Sequence, residues 1–339
     1  MKKIKIEEIE KILLDWFKKN KKKINRSQNF FEENIIDSFD IIEFITFMEK
    51  KFAIKFNPSE YQDQYAPFSV IKNLSKIIKK KKLPDYSLKD LKKALIRVGI
   101  KKGENILCHS NIGYFGRIKN INTSEQLCQS FLKIILSIIK KDGTLIVPTF
   151  SYSFFDKKNF VINKTKSKMG IFSEYIREHQ KSIRSSDPNF SVAAIGRHCK
   201  YFSETNNENT YGEESFFDKF HKLNGKILDF NFLGSTIIHY YERKLNVPYR
   251  FDKKFYGLIN DSKKNIFVFS RKLKDKKNIA DVLPITNLMK KDKILKVSKL
   301  GRGEITCVTS HDFFKYIKKK YKKNNFVLTE SHRYQKLKK

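Results

Sequence analysis

Little in this sequence is acidic, little is cysteine, and little would break a helix. Thirty-six Asp and Glu face 71 Lys and Arg, leaving a formal net charge of +35, a field that attracts polyanions. Yet Trp occurs once, Gly 13 times and Pro 7 times in 339 residues, while Lys, Ile, Asn and Phe are over-used together. That joint skew reads as a compositional bias of the whole chain, not as a selected basic patch. Lys runs at 79–82 and 318–320 are therefore expected to be solvated surface, and specific nucleic-acid binding is not expected.

Cysteine is scarce and scattered. Cys108, Cys128, Cys199 and Cys307 form no CxxC pair and no Cys/His cluster, which argues against zinc or a redox pair and suits a reduced, cytoplasmic setting. No HExxH occurs either, so no metal site is expected. Long apolar runs are missing too. The most apolar stretch, 131–139, is interrupted by Lys133 and closed by Lys140 and Lys141, too short to span a bilayer. The first eight residues run into Glu7 and Glu8, unlike a secretory signal, so neither membrane nor export is expected.

What is present is enough apolar material, 40% of residues, for sizeable cores, and a length that favours one small and one large domain. Residues 4–18 place Ile6, Ile9, Ile12, Leu13 and Phe17 at helical spacing. A second helical pattern starts near Ser38 and ends before Asn57-Pro58, and a third covers 69–80. Together they predict a small all-α bundle over 1–82. Residues 79–86, polar and containing Pro84, read as the linker, able to extend roughly 26–29 Å. From 83 to 339 helices and strands alternate: helix 87–98, strand 105–109, helix 123–140, strand 144–148, then strands at 227–233, 266–270 and 303–308. This predicts a larger mixed α/β, sandwich-like domain.

Ser38 stands out in the first domain. It follows Asp37 at a loop-to-helix junction, and no Lys or Arg occurs from Phe31 to Glu49. A serine there can simply be an N-cap. The segment 1–82 also resembles the acyl carrier protein family in length, helix order and the Asp37-Ser38 dipeptide. That resemblance implies 4′-phosphopantetheine esterified to Ser38, a phosphopantetheinyl transferase as partner, and an acidic helix that docks on basic enzymes. Phe39 departs from the family's usual Leu, and the domain as a whole is basic.

The second constellation is His239 and Glu242, at i and i+3 on one face of an expected helix. A carboxylate there would fix the imidazole tautomer and stabilise its protonated form, raising its basicity. Such a histidine, with an unperturbed pKa of about 6.5, removes a proton from an amine as it adds to a thioester carbonyl. Cys108-His109 invites a thiol-nucleophile reading, but strand neighbours face opposite ways, and Cys108 is expected in the core.

Several blocks carry a second resemblance: Cys108-His109-Ser110-Asn111-Ile112-Gly113, the run from Asp142 through Pro148-Thr149-Phe150-Ser151, the run from Arg184-Ser185-Ser186-Asp187-Pro188 to Gly196, Tyr211-Gly212-Glu213-Glu214-Ser215, and Leu233-Gly234 leading to His239 and Glu242. In this order they resemble the aminoglycoside 3-N-acetyltransferase family from Leu88 to about Glu330. The resemblance implies an N-acyltransferase with His239 as general base and Glu242 as its orienting partner. It further implies that Ser110, Asn111, Gly113, Thr149 and Ser151 line the donor thioester cleft, and that Arg184, Asp187 and Glu213 hold the acceptor.

Asp187 stands where antibiotic-modifying members commonly have histidine, and a basic protein repels a polycation. A nucleotide-linked amino sugar is therefore the expected acceptor, with phosphopantetheine on the chain's own carrier domain or acyl-coenzyme A as donor. A coenzyme A-dependent aminoglycoside acetyltransferase is the alternative, and a non-catalytic carrier or binding protein the alternative of another class. A homo-oligomer is compatible with all three.

Overall fold

The computed structural model describes residues 4–61, 67–205, 208–231, 234–271 and 283–329. Leu233, expected to end a strand, and the stretch from Glu330 to the end of the second domain lie outside the described residues. The chain divides into two compact units, Met1–Pro84 and Asp85–Lys339.

The first unit is built from α1 (Ile6–Lys19), α2 (Ser38–Phe52) and α3 (Ile71–Lys82), with short 3₁₀ turns at Pro58–Glu60 and Pro67–Ser69. Its core is aromatic: Trp16, Phe17, Phe30, Phe44 and Phe68 bury together with Leu13, Met48, Leu74 and Ile78, and Phe44 meets Trp16 and Phe17 at ring-centroid distances of 4.5 and 5.0 Å. Helix α3 continues through Lys82, taking in four residues read from sequence as linker; Pro84 still forbids its extension.

The start of α2 corrects one reading. The cap is Asp37, not Ser38: the Asp37 carboxylate accepts from the backbone N–H groups of Phe39 and Asp40, while Asp40 accepts from the N–H of Asp37. This reciprocal box satisfies orphan donors of the first turn and leaves Ser38 as the first helical residue.

The second unit holds α4 (Leu88–Arg97), β1 (Asn105–Ser110), α5 (Ser124–Ile139), β2 (Thr144–Pro148), α6 (Ile171–Glu178), β3 (Ile183–Arg184), β4 (Val192–Gly196), α7 (Cys199–Ser203), α8 (Phe216–Lys222), β5 (Lys226–Phe230), α9 (Ile238–Lys244), β6 (Arg250–Ile259), β7 (Ser262–Arg271), α10 (Leu283–Lys291), β8 (Lys296–Leu300), β9 (Gly303–Thr309) and α11 (Ser310–Tyr321). Seven strands form one mixed sheet in the order β3-β4-β2-β1-β5-β9-β8, and β6 pairs with β7 in a separate ribbon. The centre, β2-β1-β5, is parallel, and the flanks are antiparallel.

Strand alternation sorts the sheet residues into two cores. Ile106, Cys108, Leu145, Val147, Leu228 and Cys307 face helices α4, α5 and α6. Leu107, Ile146, Val192, Ile227 and Val308 face the opposite side, with Phe217, Tyr240, Tyr241, Ile285 and Phe313. The fold is therefore mixed α/β with helical layers on both faces. Gly196, at φ +130°, closes β4 where a Cβ would sit 2.2 Å from the carbonyl oxygen of Gly143, so only glycine fits that crossing.

Because Asp37 carries the cap, Asp37→Ala should lower the stability of the first unit by about 1 kcal/mol, within a range of roughly 0.5–2, and Asp37→Asn by less. Urea unfolding followed by Trp16 fluorescence reads this unit alone, since the chain has a single Trp.

Candidate active site

Helix α9 presents His239 in its first turn and Glu242 one turn later, as the i, i+3 spacing requires. Nδ1 of His239 lies 2.7 Å from Oε2 of Glu242. The imidazole keeps 21% of its side-chain surface exposed, whereas the Glu242 side chain has none. A carboxylate this deep needs further partners, and the chain supplies two immediately after the helix. Arg250, the first residue of β6, brings Nε to 2.5 Å from Oε2, and Tyr249 donates its hydroxyl to Oε1 at 3.1 Å.

With a carboxylate on Nδ1, that nitrogen carries the hydrogen and Nε2 keeps the lone pair that can accept a proton. The electrostatic balance corrects the sequence reading in one respect. Burial holds the pKa of His239 below its ordinary value, Arg250 pushes it further down, and Glu242 opposes them only in part. The ring is thus neutral near pH 7, because burial first and Arg250 second outweigh the carboxylate that was expected to raise its basicity.

The other residues singled out in the sequence differ in how far their polar atoms are already engaged. Ser110 ends β1 with a buried hydroxyl that has no protein partner among the described residues. Asn111 follows, its N–H donating to the Phe230 carbonyl, and a Cβ at Gly113 would meet nothing within 4 Å. Asn111 and Gly113 are exposed just past the end of β1, beside the buried Ser110 hydroxyl.

The polar atoms of Thr149, Ser151 and Arg184 are engaged inside the protein. Arg184 donates through Nε to the hydroxyls of Thr149 and Ser191 and through Nη2 to the Thr149 carbonyl, and its Nη1 serves the carbonyls of Ile162 and Thr165. Its burial brings the guanidinium pKa down to about 10. Ser151 donates to the Pro188 carbonyl at 2.8 Å. This network ties the ends of β2 and β4 together.

Asp187 is buried too. It accepts from the N–H groups of Asn189 and Phe190 and from the Thr210 hydroxyl, and burial raises its pKa despite them. Glu213 is exposed.

Cys108 lies in the core behind the sheet, its thiol pKa pushed far up by burial, so the thiol-nucleophile reading has no reactive thiolate to work with. Its neighbour His109 points to the opposite face, where Nδ1 meets Oδ1 of Asp229 on β5 at 2.8 Å. This second buried imidazole–carboxylate pair joins residues 120 apart, so no local spacing announces it. Arg250 and Tyr249 were missed for a related reason, since nothing near them marks a destination on Glu242. Among the described residues no group of three His, Cys, Asp or Glu is placed to hold a metal, and no helix is long and apolar enough to cross a membrane.

A mixed α/β sheet carrying a partly exposed imidazole on a buried carboxylate is the framework of a general-base site. The model of the aminoglycoside 3-N-acetyltransferase family matches residues 107–322, well over half of the sequence, and the chain belongs to that family of acyltransferases. A relative from Bacillus subtilis strain 168, the SPbeta prophage-derived aminoglycoside N(3′)-acetyltransferase-like protein YokD, is 24% identical over 178 residues, covering 45% of this chain and 62% of the relative. The chain thus spans less than two thirds of that relative.

The YokD crystal structure superposes with a TM-score of 0.59 at 18% identity, over 72% of this chain and 95% of that one. AAC-IIIb in a binary complex with coenzyme A gives 0.60 at 15% identity, over 70% and 97%. AAC-VIa bound to sisomicin gives 0.58 at 16% identity, over 69% and 96%. At these identities the structures share the fold.

Arg250→Met should raise the pKa of His239, since burial alone would then oppose the Glu242 carboxylate, whereas Arg250→Lys should move it less. An NMR titration of the His239 ring reads the shift directly, and a pKa that falls or stays fixed in Arg250→Met contradicts this account of the balance.

Proposed function

We propose that the chain transfers an acyl group from the thioester of coenzyme A to an amine of an aminoglycoside-type amino sugar, with His239 as general base. The observation that carries this reading is the 2.7 Å contact between His239 and the fully buried Glu242. The amine adds to the thioester carbonyl carbon while Nε2 of His239 takes its proton. Glu242 balances the imidazolium as it forms. The tetrahedral intermediate then collapses, and the departing thiolate is protonated as the amide forms.

Ser110, Asn111 and Gly113 are assigned to the donor side, where the Ser110 hydroxyl can serve the carbonyl oxygen. Asp187 and Glu213 are assigned to the acceptor side, and Arg184, Thr149 and Ser151 to holding the frame.

Coenzyme A in the AAC-IIIb complex and sisomicin in the AAC-VIa complex favour this donor and acceptor over the nucleotide-linked sugar and self-borne donor expected from sequence. The expected repulsion of a polycation loses its force locally. Carboxylates and cations are interleaved here, with Glu242 paired to Arg250 and Asp218 to Lys222, so the net charge of the whole chain does not by itself set the field that an acceptor meets.

His239→Ala should lower the rate of thiol release from acetyl-coenzyme A in the presence of an aminoglycoside by roughly 10²–10⁴-fold at unchanged thermal stability. A loss smaller than tenfold removes His239 from this role.

A second reading concerns the first unit. Beside Ser38, Phe39 is 82% and Ile42 63% exposed on a helix whose sequence carries no Lys or Arg before Lys50, although Lys22 pairs with Asp40 in its first turn. An apolar pair this exposed on an acidic helix supports a docking face and, with it, the role of Ser38 as a phosphopantetheine attachment site served by a phosphopantetheinyl transferase. Intact-mass measurement of the protein from its native host should find one pantetheine arm, absent in Ser38→Ala. An unmodified chain removes the carrier role.

A further inference from the structure

At the end of the large sheet opposite Ser110, the second unit encloses a half-open cavity of about 390 Å³. It lies where β5 and β8 begin and β9 ends, beside the turn that follows α4. In the β1–β5 register Ser110 pairs with Phe230 and Ile106 with Lys226. The cavity and the Ser110 end are therefore separated by the length of β5, roughly 13 Å at about 3.3 Å per residue. None of its lining residues belongs to the acyl-transfer site described above.

The lining joins apolar side chains to cationic ones. Val98, Ile100 and Val308 contribute buried surface, whereas Ile96 and Ile294 stay 53% and 39% exposed beside it. Isoleucines left in water at the mouth of a hollow carry a cost that a covering apolar group would remove. Lys101, Lys226 and Lys296 line the same cavity, and Gly99 lets two of them converge. The point that a Cβ of Gly99 would occupy lies 3.1 Å from Nζ of Lys296 and 3.9 Å from Nζ of Lys226. Two ammonium groups this close repel each other unless negative charge lies near both.

Lys226 has such a partner already, since its Nζ donates to Oε1 of Glu104 at 2.8 Å and to the Gly99 carbonyl. The ammonium groups of Lys101 and Lys296 have no ion-pair partner among the described residues. Asp312, the acidic residue of the lining, is engaged at the start of α11: its carboxylate accepts from the Thr309 hydroxyl at 2.7 Å, and its N–H donates back to that oxygen. The N–H groups of Ser310 and His311 are likewise taken, by the Gly225 carbonyl and the Asn224 side chain, so the lysines and not the helix terminus are the groups available to an anion. Three ammonium groups against the carboxylates of Glu104 and Asp312 leave one positive charge, which suits a monoanion better than a multiply charged phosphate ester.

We infer that this cavity is a second ligand site, for a small monoanion with an apolar body such as a medium-chain carboxylate. Lys296 and Lys101 hold the charged group, and the hydrocarbon covers Ile96 and Ile294. The inference is independent of the acyl-transfer reading.

The test is an NMR titration of the full chain, carrying isotope-labelled isoleucine methyl groups, with hexanoate, hexanol and acetate. Hexanoate should shift the signals of Ile96, Ile100 and Ile294 and leave in place that of Ile112, beside Gly113 at the opposite end of the sheet. Hexanol lacks the charge and acetate the apolar body, so each should bind at least about threefold more weakly. Lys296→Met should weaken hexanoate roughly threefold to tenfold. Lys101→Met, in the turn after α4, should act in the same direction and keeps the test open if the first variant folds poorly.

An affinity for hexanoate unchanged in both variants overturns the inference, as does equal binding of hexanoate and hexanol. Shifts confined to Ile112 would place the carboxylate at the other end of the sheet and overturn it too. So would shifts of Ile96 and Ile294 that follow protein concentration without hexanoate, since these residues would then be a contact between copies of the chain.

Discussion

A carboxylate with no exposed surface persists only where opposite charge and hydrogen bonds replace its water. Glu242 has both, between the His239 imidazole, the Tyr249 hydroxyl and the Arg250 guanidinium. This four-residue knot joins helix α9 to the start of the β6–β7 ribbon and holds the imidazole through Nδ1, leaving the ring partly exposed. It also explains the neutral ring. Burial does most to lower the pKa of the imidazole, Arg250 adds to it, and the Glu242 carboxylate opposes both only in part.

The second layer of organisation is a set of polar groups engaged with one another. Arg184 grips the ends of β2 and β4 through Thr149 and Ser191, and Ser151 ties to Pro188. Asp187 closes the adjoining turn through two backbone N–H groups and Thr210. Hydrogen bonds among buried polar groups reinforce one another in a low-dielectric interior, so these side chains hold neighbouring segments of the chain in register. Against this background the Ser110 and Tyr211 hydroxyls stand out, buried and unpartnered among the described residues, one at the end of β1 and the other on the imidazole.

The first unit follows a simpler logic. An aromatic core centred on Phe44 holds three helices, and the Asp37–Asp40 box fixes where α2 begins. Its exposed Phe39 and Ile42 do not contribute to that core, so stability is not the reason for their presence on an otherwise acidic helix. The scarcity of negative charge in the whole sequence makes this local concentration more informative than it would be in a balanced protein.

Periodicity and spacing determined much of this protein in advance. The helices of the first unit, the helix–strand alternation of the second and the shared face of His239 and Glu242 are local patterns, written within a few residues of one another. The opposite orientation of Cys108 and His109 followed from strand geometry alone. Other features depend on groups far apart in the chain. Residues 250–259 carry scattered charges and read as no strand until they pair with 262–271. His109 finds Asp229 across two strands, and Arg184 finds Thr149 only once β2 and β4 are neighbours.

Whether a titratable residue faces a ligand or a fellow side chain, and whether its pKa rises or falls, is set by burial and by charges brought in from elsewhere. Sequence fixed the identity of the His–Glu pair, because one helical turn suffices to make it. Its protonation state was decided by the tertiary structure, because desolvation and Arg250 act on it only after folding.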